Sequence, residues 1–275
     1  RKVAQEYECN FNASGETVIH PDDLDKIKQT YCKPKHQTGF DRNFWIWDEY
    51  NPDKKYFLVG DTARGDGNDY SVFHIFETES MKQVAEYRGK PTIDIFSRIL
   101  YDAGIEYGSC MMVLENNNIG FSVLEKLIEQ GYPNIYYSTK GSHEFVEHYE
   151  ADYVANSIAG FTTSQKTRPL VIAKLEEFLR NDTLKLSSER SYQELKTFIW
   201  KHGRPEAQRG YNDDLVISLA IGCWIRSTVL QENYKEANYK KTFLNSMIFT
   251  RTKIKTTIPG MIGYKKEENI DKMKS

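Results

Sequence analysis

The sequence predicts an α/β fold: a mixed central β-sheet flanked by helices. Three observations carry that expectation. The apolar runs YFLVGD, YSVFHIFE and MKQVAEYRG follow one another with short links, the pattern of an antiparallel three-stranded meander. A helix, a fully apolar strand, a second helix and another strand come next, and a strand–helix–strand crossover returns its second strand parallel to a neighbour in the same sheet. Finally, YNDDLVISLAIGCWIRSTVL is apolar on every side from about Asp213 to Leu230, as expected of a helix buried in the interior.

The elements follow in order along the chain. Residues 1–38 mix helix-like and turn-like pieces, with HPDDLDKI reading as a short helix capped by acids. YFLVGD is nearly continuous in apolar character, whereas MKQVAEYRG alternates with period two. In TIDIFSRILYDAGIEYG the apolar residues Ile93, Ile95, Phe96, Ile99 and Leu100 predict a helix that starts at Thr92 and ends between Gly104 and Gly108. CMMVLENN predicts a strand running into Glu115, GFSVLEKLIEQGY a helix, and NIYYSTK a strand. Beyond these, KTRPLVIAKLEEFLRND reads as a helix, TLKLSS as a short edge strand, and SYQELKTFIWKH as a helix entering a strand or arm. The expected divisions are a lead-in over residues 1–40, the main domain over 41–230, and a basic tail over 231–275 packed on the body or on a partner.

Composition narrows the classes. With 39% apolar and 13% aromatic residues in 275, the chain has material for one substantial core and is not disordered. A formal net charge of -2 gives no global attraction to nucleic acid or membrane, so any polyanion must meet a local patch. No apolar run approaches the roughly 20 residues needed to span a bilayer, and RKVAQEYE has no signal-peptide character, so a soluble cytosolic protein with no membrane contact is expected. Because the first residue is Arg1, a piece of a longer chain is expected. Cys9, Cys32, Cys110 and Cys223 form no CxxC pair and read as reduced thiols. A zinc site built from Cys9, His20, Cys32 and His36 would have spacings that fit no common knuckle. No phosphate-binding GxxxxGK[ST] loop occurs in the sequence.

Acids stand at the ends of three apolar elements: Asp61 after the first strand of the meander, Glu115 after the crossover strand, and Asp213 with Asp214 at the start of the long helix. If those two strands are adjacent and parallel, Asp61 and Glu115 share one sheet edge about 5 Å apart. Each acid also has a structural use, since Asp213 can cap a helix and Asp61 can satisfy turn amides. Together they predict something else. Like charges this close raise one another's pKa, and a divalent cation relieves the strain. Several carboxylates with open water positions suit Mg2+ or Mn2+, and two ions about 3.5–4 Å apart can hold a phosphodiester and its attacking water. In the turn DTARGDGND, Gly65 and Gly67 allow tight turns and close approach of a phosphate, and Asp69 is placed to orient a ligand or a metal-bound water.

With these residues in view, DTARGDGNDYSVFHI, MVLENNNIG and GYNDDLVISLAIG together resemble the nuclease domain of the large terminase subunit of tailed phages, in particular the myovirus type. QEYECNFNASGETVI resembles the segment that closes the ATPase domain of those proteins, which makes residues 1–40 the end of that domain or its linker. The resemblance covers roughly Gln5 to Leu230. It implies an RNase H-like fold and a metal-dependent endonuclease that cuts concatemeric viral DNA to begin and end packaging. The implied partners are double-stranded DNA, an upstream ATPase domain of the same protein, the portal and the small terminase subunit. The implied location is the host cytoplasm, transiently at the prohead portal. Carried over by motif, the acidic triad falls on Asp61, Glu115 and one of Asp213 and Asp214, with Asp213 expected as the principal ligand and Asp214 as a second ligand or cap.

Contacts to DNA would come from Lys140, Lys166, Arg168, Lys201, Arg204 and Arg209, in loops flanking the acids, while His143 and His148 read as surface residues. Competing readings are a resolvase or transposase-like nuclease of the same fold, and a non-catalytic assembly module. An actin-like ATPase is disfavoured because no second domain is evident.

Overall fold

The structure, a computed structural model, describes residues 17–39, 41–65, 67–117, 119–139 and 157–230. Six strands form its main sheet: β1 (His36–Thr38), β2 (Phe44–Ile46), β3 (Tyr56–Asp61), β4 (Ser71–Glu77), β5 (Gln83–Gly89) and β6 (Met111–Leu114). Their order is β1-β2-β5-β4-β3-β6. The meander forms as expected, antiparallel from β3 through β5. A crossover through α2 (Ile93–Glu106) then brings β6 parallel to β3, with Leu58 opposite Met112 and Gly60 opposite Leu114.

Helices cover both faces of this sheet, which is why β3 and β6 read as unbroken apolar runs. Successive side chains of a strand point to opposite faces. Phe57, Val59 and Val113 therefore enter one core, built with residues of α1 (Pro21–Thr30), α4 (Thr167–Arg180), α5 (Glu189–Thr197) and α6 (Asp214–Ile225). Leu58, Met112 and Leu114 enter the other, built with α2 and α3 (Ile119–Glu129). Complete burial of each such side chain contributes about 1.5–3 kcal/mol. The long apolar helix crosses β3 and β4 with ten of its residues buried. It stops as an α-helix at Ile225 and continues as a π-turn over Arg226–Leu230, where the hydroxyls of Ser227 and Thr228 both donate to the Trp224 carbonyl in competition with backbone amides.

Two expectations are corrected, and the period-two pattern of β5 has a physical explanation. The alternation in β5 does not mark a wet face: Gln83 and Glu86 are fully buried and bonded to His74, Ser187, Ser188, Ser191 and Arg190. TLKLSS pairs with the sheet only through a single parallel bridge of Lys185 to Lys82, because the Gln83 side-chain oxygen takes the Ser187 and Ser188 amides that a longer ladder would have used, and Leu184 and Leu186 plug the core. The cap of α1 is the His20 ring, accepting from the Asp22 amide at 3.3 Å, with the acids in the turn behind it.

The first two strands carried no usable signal. β1 and β2 are three residues each, and β1 is wholly exposed. The division expected at residue 40 falls between these two paired strands, and the stretch before it adds Leu24 and Ile27 to the core. NIYYSTK yields β7 (Tyr137–Thr139), as expected a strand, paired antiparallel with β8 (Ser157–Ala159) alongside β6. A hairpin joins β9 (Phe198–Lys201) to β10 (Arg204–Ala207). Of the four zinc candidates, Cys9 lies outside the described residues, Cys32 is exposed, His20 caps α1 and His36 pairs with Glu49. Among the described residues no helix is long and apolar enough to cross a membrane.

Candidate active site

The parallel pairing of β3 and β6 brings two acids to one edge of the sheet. Asp61 is the last residue of β3, and Glu115 follows β6, its amide donating to the Gly60 carbonyl at 3.0 Å. Glu115 is held further by close packing at the start of α3, where a Cβ on Gly120 would lie 1.8 Å from the Glu115 carbonyl oxygen. The third acid comes from the first residue of α6. Asp61, Glu115 and Asp214 line a single cleft of about 650 Å³ together with Thr62, Asp69 and Asn117.

The electrostatics of this cleft are those of crowded carboxylates. The Asp61 carboxyl is pushed well above the usual carboxylate range, first by burial and then by its like-charged neighbours Glu115 and Asp214. Burial also pushes Asp214 up to about 6, while the Tyr70 amide, donating to its Oδ2 at 2.8 Å, works the other way. Asn117 donates from Nδ2 to Glu115 Oε1 at 2.8 Å and to the Thr163 carbonyl at 2.8 Å, tying the carboxylate to the next loop. Thr62 Oγ1 is buried without a hydrogen-bond partner. Among the described residues no three ligand-type side chains already enclose an ion. Even so, repelling carboxylates beside an unpartnered hydroxyl form an oxygen-rich set suited to a hard divalent cation.

The two aspartates that begin α6 part company. Asp213 turns away from the cleft and pairs with Arg168 Nη2 at 2.6 Å, and its side chain makes no capping bond. Asp214 faces Asp61 and Glu115, the reverse of the order expected from sequence, because adjacent helical residues point about 100° apart and the guanidinium on α4 captures the first. Gly65 adopts φ +83°, which favours glycine, whereas Gly67 has open space around it. Asp69 is exposed on the rim.

The expected DNA contacts scatter. Arg168 and Arg204 line a second groove of about 1190 Å³ that meets the acid cleft at Glu115 and Asn117 and also carries the exposed Trp200. Lys166 is exposed just before α4, Lys201 pairs across its hairpin with Glu206 at 3.3 Å, and Arg209 is exposed in the turn before α6. Lys140, His143 and His148 lie outside the described residues. Sequence reading passed over Asn117, Tyr70 and Trp200. An amide two positions after Glu115 was a visible signal for the first, while nothing local marks the other two.

No family model matches the chain. Among solved structures, the large terminase nuclease of thermophilic phage G20c, determined with bound cobalt, is 19% identical with a TM-score of 0.57 and coverage of 76% of this chain and 96% of that one. The chain has the fold of the large terminase nucleases. That fold is RNase H-like, with a mixed sheet between helices. The same G20c nuclease with bound magnesium matches equally well. The large terminase nuclease domain of Thermus phage P74-26 is 18% identical with a TM-score of 0.53, covering 72% of this chain and 92% of that one. In this terminase-nuclease fold the acid cleft opens where the parallel pair β3 and β6 ends against the start of α6.

Proposed function

We propose that the chain is a metal-dependent DNA endonuclease that serves a viral packaging terminase, cutting concatemeric genomes when packaging begins and ends. The observation that carries this reading is the meeting of Asp61, Glu115 and Asp214, from three distant parts of the chain, in one cleft of a terminase-nuclease fold. Their oxygens suit Mg2+ or Mn2+, two ions during catalysis, and the similar G20c nuclease has been determined with cobalt and with magnesium. When bound, such ions supply an activated water and neutralise charge on the phosphodiester.

The side chains divide the remaining work. Asp61, Glu115 and Asp214 are the ligands, Asn117 aims Glu115, and Asp69 orients a ligand or water from the rim. Asp213 holds Arg168 at the mouth of the neighbouring groove, so that a guanidinium faces the path of the phosphates without entering the acid cluster. Arg168, Arg204 and Lys166 contact the DNA backbone, with Lys201, Arg209 and Lys140, the last outside the described residues, as further basic contacts. Residues 1–40 connect to an upstream ATPase domain and 231–275 meet a partner, with the portal and the small subunit as assembly contacts. The protein works in the host cytoplasm and transiently at the prohead portal.

The test is nicking of supercoiled plasmid in Mg2+ or Mn2+. Asp61→Asn, Glu115→Gln and Asp214→Asn should each lower the rate at least about 100-fold, in keeping with several kcal/mol of lost transition-state stabilisation. Asp213→Asn should leave most of it. Cutting that survives all three substitutions, or that persists in chelator, would sink the acid-cleft reading, and a wild-type chain that shows no metal-dependent cutting would favour a non-catalytic assembly module.

A further inference from the structure

The start of α6 is capped from outside the helix. Its own acids do not do it: Asp213 makes no capping bond and Asp214 accepts from the Tyr70 amide of the β3–β4 loop. The Leu215 amide donates instead to Glu194 Oε2 of α5 at 2.8 Å. Glu194 is buried, with 6% of its side chain exposed, and its Oε1 lies 3.3 Å from Arg88 Nε on β5. The Arg88 guanidinium in turn lies over the Tyr70 ring at 4.0 Å, and Lys90 approaches the same ring at 4.6 Å while donating to the Gly67 carbonyl. The chain of contacts from Asp214 through Tyr70, Arg88, Glu194 and Leu215 closes on the residue next to its start. Three elements, α5, α6 and β5, thus meet at the Glu194 carboxylate, and the β3–β4 loop is joined to it through Arg88.

We propose that Glu194 is a positioning residue for Asp214, capping α6 in trans so that the Asp214 carboxylate stays in the cleft. The idea rests on the reading of Asp214 as a metal ligand. A helix start offers unpaired amides that attract carboxylates, and an aspartate at that start is a preferred taker. With Glu194 occupying the Leu215 amide, neither Asp213 nor Asp214 is drawn back onto its own helix. Asp213 is released to Arg168, and Asp214 to Asp61 and Glu115. Arg88 lies beside the buried Glu194 and, through Tyr70, links it to the loop whose amide steadies Asp214.

The experiment titrates the full chain with Mn2+ by calorimetry and follows amide exchange at Leu215 without metal. Glu194→Ala is expected to weaken Mn2+ binding about 10- to 100-fold, the usual effect of losing a residue that orients a ligand, and to speed Leu215 exchange while far-UV dichroism is retained. Glu194→Gln keeps an oxygen for the Leu215 amide and loses the pairing with Arg88, so exchange should stay slow and Mn2+ affinity should fall less. If Glu194→Ala does not fold, Glu194→Gln and Arg88→Met are read for a smaller loss of affinity. Unchanged Mn2+ affinity in folded Glu194 variants, alongside a wild type that binds and an Asp214→Asn variant that does not, would overturn the positioning role alone. A wild type that binds no Mn2+, or an Asp214→Asn variant that binds as well as wild type, would instead remove the metal site on which it rests.

Discussion

His74 is a fully buried imidazole whose pKa is held below the usual 6.5, chiefly by desolvation. Its Nδ1 faces the Gln83 amide nitrogen at 2.9 Å and its Nε2 faces the Leu215 carbonyl at 3.2 Å, so the neutral ring with its proton on Nε2 satisfies both. Because the folded value is depressed, the unfolded chain binds the proton first as pH falls. Stability from this residue is therefore complete above pH 6.5 and declines below it, by up to about 1.4 kcal/mol per pH unit. Asp214, raised to about 6, and Glu194, raised to about 8, act with opposite sign, since the folded state takes their protons first. The His74 contribution is thus read as a difference: urea midpoints of wild type and His74→Asn should converge as pH drops from 7 to 5. A constant gap would show that the ring does not titrate in this way. Nothing in YSVFHIFE distinguishes this histidine from a solvent-facing one, since its partners come from β5 and α6.

At the scale of elements, the short α3 holds the crossover strand's acid in place. The first turn of α3 presses on Glu115, and Gly120 is the residue that permits it, since a Cβ there would meet the Glu115 carbonyl oxygen at 1.8 Å. That oxygen is backbone and cannot swing aside, so Gly120→Ala must move either the helix or Glu115. A loss of about 1–3 kcal/mol of stability is expected, typical of overpacking, together with weaker Mn2+ binding. Chemical denaturation and metal titration of the same variant measure both, and wild-type values in both would contradict the packing described. Elements with strong periodicity or long apolar runs were legible in sequence, including β3 to β6, α2, α3, α4 and α6. Those too short to show a period, β1, β2 and β10, were not, because pairing with a neighbour and not local preference makes them strands.

Over the whole molecule, the acid cleft and the Arg168–Arg204 groove meet at Glu115 and Asn117, so a duplex lying in the groove would bring a phosphate to the carboxylates. Each phosphate neutralised by a basic side chain adds about 0.9 to the slope of log affinity against log salt. Lys166→Ala with Arg204→Ala should therefore flatten that slope by about 2 in equilibrium DNA binding, and an unchanged slope would take these two residues out of the interface. By itself the sequence determined the α/β class, the meander, the parallel return of β6, and the fact that Asp61, Glu115 and an aspartate of α6 end apolar elements, because periodicity and crossover handedness are local or nearly local constraints. Only the tertiary structure decided which aspartate faces the cleft, what caps α6, and which basic residues share a groove. Those outcomes depend on which side chains from other elements arrive first at a given atom, as Arg168 does at Asp213 and Glu194 at the Leu215 amide, and no spacing along the chain encodes that meeting.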